Sequence, residues 1–205
     1  MGLGIKDSGV PRGDIFITSK LWNTHHPNVK EGLQRTLDAL GTDYLDLYVW
    51  NTSRPNSSAE LIYASAGALA CSVGPGEHAR STSLCLPPLT TMQNETSELL
   101  PVNPDGSRSV DRSWDQSETW RQMEEVFKSG KVKAIGVANW SIPYLEELRK
   151  KWTVVPAVNQ VELHPFLPQH DLKKYCDDLG ILLEAYSPLG STGMSYQCPE
   201  TARLC

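Results

Sequence analysis

The chain lacks any apolar run long enough to cross a bilayer. Its first residues, MGLGIKDSGVPRGD, lack the apolar core of a secretory signal. No membrane partner is therefore expected, and the cytoplasm is the expected compartment. Cysteine is scarce and scattered. The five residues Cys71, Cys85, Cys176, Cys198 and Cys205 form no CxxC pair and no Cys/His cluster, so no metal site is expected. An odd count without a signal reads as reduced thiols. Basic charge is not in excess: 19 Lys and Arg face 24 Asp and Glu, a net charge of −5. That balance argues against nucleic acid and against an acidic membrane surface as partners. No GxGxxG or P-loop follows a strand, which disfavours an open nucleotide-binding sheet.

What is present is an alternation of strand and helix signals. With 205 residues and 40% hydrophobic content, a single domain spanning residues 1–205 is expected. DIFITSKLW reads as a strand, rich in apolar and β-branched residues after Gly13-Asp14. PNVKEGLQRTLDALG reads as a helix with Pro27 in its first turn, a stripe of Val29, Leu33, Leu37 and Leu40, and Gly41 as C-cap. DYLDLYV is a second strand. Beyond residue 112 come helix SWDQSETWRQMEEVFKSGK, strand VKAIGVANW, helix SIPYLEELRKKW, strand AVNQVELHP, helix PQHDLKKYCDDLG and strand ILLEAYSPLG. Alternation with short connections implies parallel βαβ units with right-handed crossovers. Two architectures fit: an open doubly wound sheet, or a (β/α)8 barrel lacking several units.

Two stretches break the pattern. Residues 49–99 are Ser- and Pro-rich and without period, and are expected to form a long irregular insertion. Residues 194–205 show no helical stripe where the next helix is due. Both breaks are abrupt, and both are compatible with translated intron sequence. Val49 permits a donor site because every valine codon begins with GT.

In a barrel, active residues gather at the carboxyl ends of strands. Those positions hold Lys20 and Trp22, Asn51, Asn139 and Trp140, Gln160 and Glu162, and Tyr186 and Ser187. Each has a plain structural reading. A strand-end lysine is usually a solvated charge, and Asn139 or Ser141 can cap the following helix. Gln160 and Glu162 need only backbone partners. Tyr186 can be a wall residue, His164 a structural side chain, and His25-His26 a pair facing water.

Taken together, FITSKLWN, YLDLY, GKVKAIGVANWS, VVPAVNQVELHP and LLEAYSPLGSTG, in this order and spacing, resemble the aldo-keto reductase family. DGSRSVDRSW is similar to the corresponding segment of its fungal aldehyde and glycerol reductases. The resemblance covers residues 2–48 and about 100–193. It implies an incomplete (β/α)8 TIM barrel of about five βα units, and NADPH-dependent reduction of aldehydes or ketones to alcohols, impaired in this chain. The alternatives are a non-catalytic partial barrel that binds nicotinamide nucleotide or a partner, and a mis-spliced gene product.

The family's proton donor is a Tyr tuned by a Lys that an Asp holds, with a His orienting the carbonyl. The resemblance assigns the Lys to Lys20. The Asp and Tyr belong to two βα units absent here, and Asn51 stands where the His is due. Asn139 and Gln160 match the residues that hold the carboxamide of NADP, and Tyr186 the ring that stacks on the nicotinamide. Ser187, Leu189 and Ser191 match part of the pyrophosphate belt. Ala138 replaces the usual Ser. Trp22 is the candidate for contact with a small carbonyl substrate. Open sheet edges in an incomplete barrel imply non-specific self-association.

Overall fold

The computed structural model describes residues 2–51, 91–92, 104, 110–111 and 113–189. Five parallel strands form one sheet: β1 (Thr18–Leu21), β2 (Leu47–Asn51), β5 (Ile135–Ala138), β6 (Val158–Glu162) and β7 (Leu182–Tyr186). Their spatial order follows their order in the chain. Two further short strands, β3 (Thr91–Met92) and β4 (Val110–Asp111), pair antiparallel as a separate ribbon.

The α-helices among the described residues are α1 (Gly2–Asp7), α2 (Val29–Leu40), α3 (Gln116–Lys128), α4 (Ile142–Arg149) and α5 (His170–Asp178), with short 3-10 turns at Arg12–Asp14 and Asn23–His25. α2 does not begin at Pro27. Asn28 is its N-cap, accepting from the Glu31 amide while Glu31 accepts from the Asn28 side chain, so Pro27 lies just outside the helix. Gly41, at φ 64°, ends the helix in the left-handed conformation, as a C-cap glycine does.

The placement of the helices decides between the two architectures. Val29, Leu33 and Leu37 of α2, Trp120, Met123 and Val126 of α3, Leu145 and Leu148 of α4, and Leu172 and Cys176 of α5 share one buried cluster. The strand residues in that cluster are Leu21, Tyr48, Trp50, Ile135, Val137 and Val161. Because side chains alternate along a strand, these all belong to one face of the sheet. The other face carries a smaller cluster of Leu47, Val49 and Ala138, with Ala134 and Val158 against it. A doubly wound sheet has helices on both faces and a reversal of strand order. This sheet has neither among the described residues, and is an arc of a (β/α) barrel with its helices outside.

β2 is longer than its sequence pattern suggests. The expected irregular region began at Val49, yet Val49 pairs with Lys20 and Gly136, Trp50 with Leu21 and Val137, and Asn51 with Ala138. The reason is burial on both faces. Val49 packs inward with Leu47 and Ala138, and Trp50, 0% exposed, packs outward beneath the helices. β3 also falls within the stretch read as irregular. The rest of residues 52–99, and all of 194–205, lie outside the described residues.

The amino ends of the strands are clamped electrostatically. Asp46, just before β2, accepts from the Ile17 amide (2.9 Å), from Arg12 (3.0 Å) and from Lys133 (2.9 Å). Burial alone would raise its carboxyl pKa. The Ile17 amide, Lys133 and Arg12 outweigh that and hold it at about 2. Near β6, the buried Glu124 carboxylate of α3 accepts from the Thr153 and Val154 amides and from the Thr153 hydroxyl, fixing the approach to the strand.

Candidate active site

The inner face of the arc is read off the registers. Lys20, Val49, Gly136, Val158 and Leu182 form one row across the five strands. Asn51, Ala138, Gln160 and Glu184 form the next, and Glu162 and Tyr186 the row at the carboxyl rim. The sequence thus brings its polar candidates to one face and to one end of that face.

Asn139, Gln160 and Tyr186 converge. The Asn139 backbone N–H donates to the Gln160 backbone carbonyl at 2.9 Å, continuing the β5–β6 ladder, and the Tyr186 hydroxyl donates to the Asn139 side chain at Oδ1, 3.0 Å away. Asn139 is held at φ 62° and Ser187 at φ 50°, each directly after an inner-face strand. Asn tolerates the left-handed region; Ser there is strained by roughly 1 kcal/mol. Backbone strain of this kind is concentrated at functional sites. The Tyr186 phenol pKa is raised, first by burial and then by the negative charge of Glu162. Ser141 occupies the N-cap position of α4, so Asn139 is not the cap of that helix. It is left to face the rim.

Lys20 is brought to the same face but not to the same cluster. It sits exposed on β1, two strands from β5, roughly 10 Å along the sheet. Among the described residues it makes no ion pair. Trp22 is half-buried at the end of β1, in extended conformation, leading into a turn at Asn23–His25. Asn51 is 8% exposed at the carboxyl end of β2, beside Ala138. Ser187 is half-buried and Leu189 exposed at 88%. Ser191 lies outside the described residues.

Two features escaped the sequence reading. His25 and His26 do not face water: they are 8% and 0% exposed. The Trp50 indole N–H lies 3.1 Å from His26 Nε2, and the Asn51 carbonyl oxygen lies 3.0 Å from the same nitrogen. One nitrogen cannot accept and donate at once. The tautomer protonated at Nδ1 serves Trp50, and the other serves Asn51. Burial lowers the ring's pKa to about 4, so it is neutral at pH 7. The second feature is His164, whose Nε2 lies 3.4 Å from Glu162 Oε1, with both side chains nearly buried. The i, i+2 spacing at the end of β6 was the only signal for it.

A one-sided arc of parallel strands in chain order, with its helices outside and polar side chains at its carboxyl rim, defines part of a (β/α) barrel. The model of the aldo/keto reductase family matches residues 1–203, and the chain belongs to that family. It is 40% identical over 195 residues to the glycerol 2-dehydrogenase (NADP(+)) of Saccharomyces cerevisiae, covering 94% of this chain and 53% of that protein. An aldehyde reductase of the same yeast is 38% identical, with 93% and 52% covered. Among solved structures, the aldose reductase of Giardia lamblia superposes with a TM-score of 0.71 at 29% identity, covering 96% of this chain and 55% of that one. The aldose reductase of Schistosoma japonicum, 24% identical with a TM-score of 0.73, agrees in fold. The chain spans about half the length of the curated relatives it matches. Among the described residues, no helix is long and apolar enough to cross a membrane.

Proposed function

We infer that this chain is a carbonyl reductase of the NADPH-dependent kind that keeps the nicotinamide side of its site and has impaired catalysis. The observation that carries this reading is the Tyr186–Asn139 hydrogen bond above Gln160. With Oδ1 engaged by Tyr186, the Asn139 side chain is left to offer its Nδ2 as a donor, which suits the carboxamide oxygen of a nicotinamide. Gln160, 7% exposed one row below, offers the complementary amide. The Tyr186 ring at the rim supplies a flat apolar surface. These residues fit the nicotinamide end of NADP, and the cofactor, when bound, supplies the hydride. Ser187 and Leu189 would continue along the pyrophosphate.

Reduction of a carbonyl also needs a proton at the oxygen. Lys20 makes no ion pair or hydrogen bond with an acid or a phenol among the described residues, and Asn51 offers an amide where the family resemblance places a His. An amide can orient a carbonyl but donates no proton to an alkoxide. Loss of one acid/base group costs a factor of about 10²–10⁴.

The test is a fluorescence titration with NADPH alongside an assay of NADPH oxidation with a simple aldehyde. Weak binding without turnover above background is expected. Turnover of roughly 1 s⁻¹ or more would overturn the impairment. Submicromolar affinity would show that the phosphate side is better built than proposed. The second reading is a non-catalytic nucleotide-binding arc, for which Asn51 in place of the His is the specific support. It is favoured over impaired catalysis where a prolonged incubation, with protein in excess over NADPH and aldehyde, forms no alcohol at all; slow product formation there supports impairment.

A further inference from the structure

We propose that Asn159 is a positioning residue, whose side chain fixes the turn after β5 in the conformation that presents Asn139 to the rim. Asn159 lies on β6 next to Gln160, and by alternation it faces outward with Val161, towards the helices. It is a primary amide, 0% exposed, on an otherwise apolar face. Both ends of that amide are used on one residue. The Trp140 N–H donates to Asn159 Oδ1 at 3.3 Å, and Asn159 Nδ2 donates to the Trp140 carbonyl at 2.8 Å. Trp140 is itself buried, so bulk water does not stand in for a lost partner. Only an amide meets both groups: an ionised Asp offers acceptors alone, and Leu offers neither.

Asn139 therefore stands between two peptide planes that β6 holds. The plane before it carries the Asn139 N–H, bonded to the Gln160 carbonyl. The plane after it carries the Trp140 N–H, bonded to Asn159 Oδ1. The angle φ turns the residue against the first plane and ψ against the second, so consecutive residues of β6 set both. This holds Asn139 at φ 62°, a region that residues other than glycine visit seldom. With the second plane released, Asn139 returns to the common backbone regions. Its Cβ then points elsewhere, and Oδ1 leaves the Tyr186 hydroxyl that now holds it. Asn159 touches no cofactor from the outer face. It acts through Asn139.

The effect on cofactor binding rests on the nicotinamide reading above; the effect on Asn139 does not. Asn159→Leu is nearly isosteric and removes both bonds. The side-chain ¹H–¹⁵N signals of Asn139, assigned by their absence in Asn139→Ala, should move towards the positions they take in Tyr186→Phe. NADPH affinity, by fluorescence titration, should fall roughly tenfold, as for a turn that is competent about a tenth of the time. Asn159→Thr keeps a hydroxyl for one of the two groups, and its β-branch suits a strand. It should shift both readouts the same way by less, and it serves where the leucine variant does not fold. Val126→Ala, in the last turns of α3 before the chain enters the amino end of β5, is an unrelated core loss. It should lower the thermal midpoint and leave both readouts unchanged. Asn139 signals that stay in place in both Asn159 variants would overturn the proposal. An equal fall in affinity in Val126→Ala would also overturn it, because lost stability alone would then account for the effect. If the unaltered chain binds no NADPH, the nicotinamide reading fails, and the Asn139 signals decide the positioning role by themselves.

Discussion

The Tyr186 hydroxyl donates to the Asn139 side-chain oxygen at 3.0 Å, joining the ends of β7 and β5 across the intervening β6. This bond sets which end of the Asn139 amide faces the rim. Tyr186→Phe keeps the ring and frees the amide to turn. Nicotinamide-nucleotide affinity should fall by about 2- to 10-fold, the worth of one hydrogen bond, with little change in thermal stability. A fluorescence titration against the unaltered chain measures it. Equal affinity for the two proteins would remove the orienting role from Tyr186.

Acid should unfold the protein partly through Asp46. Its folded pKa of about 2 lies below the ordinary carboxylate value, so its contribution is full above about pH 4 and is lost as pH falls towards 2. That contribution is about 2 kcal/mol. In Asp46→Asn, urea midpoints at pH 7 should drop, and the slope between pH 4 and 2 should flatten. An unchanged slope would place acid sensitivity elsewhere.

His26 acts in a different window. It is neutral in the fold with a pKa of about 4, against an unfolded value near 6.5. The unfolded chain takes up the proton first, so stability falls as pH drops from about 6.5 to 4, by roughly 3 kcal/mol. Trp50 lies against the ring, so tryptophan emission followed through a pH titration of urea unfolding reads the loss directly. In His26→Gln the slope in that window should shrink, leaving the smaller share of His25, whose pKa burial also lowers. A slope that does not shrink would mean that His26 titrates like a solvated side chain.

Gly136 is required by close approach. A Cβ on it would stand 2.5 Å from Val158 Cγ2 and 2.8 Å from the Val158 carbonyl oxygen. Since β5 and β6 are hydrogen-bonded neighbours, neither strand can retreat without losing its ladder. Gly136→Ala should cost about 1–3 kcal/mol by overpacking, seen as a lowered thermal midpoint. Full stability in Gly136→Ala with Val158 retained would show that the inner face has slack.

Much of the fold is legible because apolar spacing and burial coincide. Val29, Leu33 and Leu37 recur at helical spacing and all three are buried. The end of β2 was not legible, because Asn51 and the serines beyond it look like loop composition. Tertiary pairing with β1 and β5 overrode that local signal. His26 looked solvated for a similar reason: only the fold brings the Trp50 indole and the Asn51 carbonyl to its Nε2, which serves one or the other according to its tautomer. α1 gave no stripe because none of its residues is buried. For the site, the strand-end positions of Asn139, Gln160 and Tyr186 were readable from alternation. Their convergence required the register; the left-handed backbone at Asn139 suits its residue type, and that at Ser187 left no mark in it.

Trp50 also gives the arc an optical signature. Its ring centroid lies 4.7 Å from that of Trp140 and 6.3 Å from that of Trp120, on the strand neighbouring β5 and beneath α3. Indoles that close couple their electronic transitions, and the resulting near-ultraviolet dichroism exists only while β2, α3 and the turn after β5 hold them in a fixed mutual orientation. Three of the chain's six tryptophans therefore act as one chromophore, assembled at the residue where the strand was expected to have already ended.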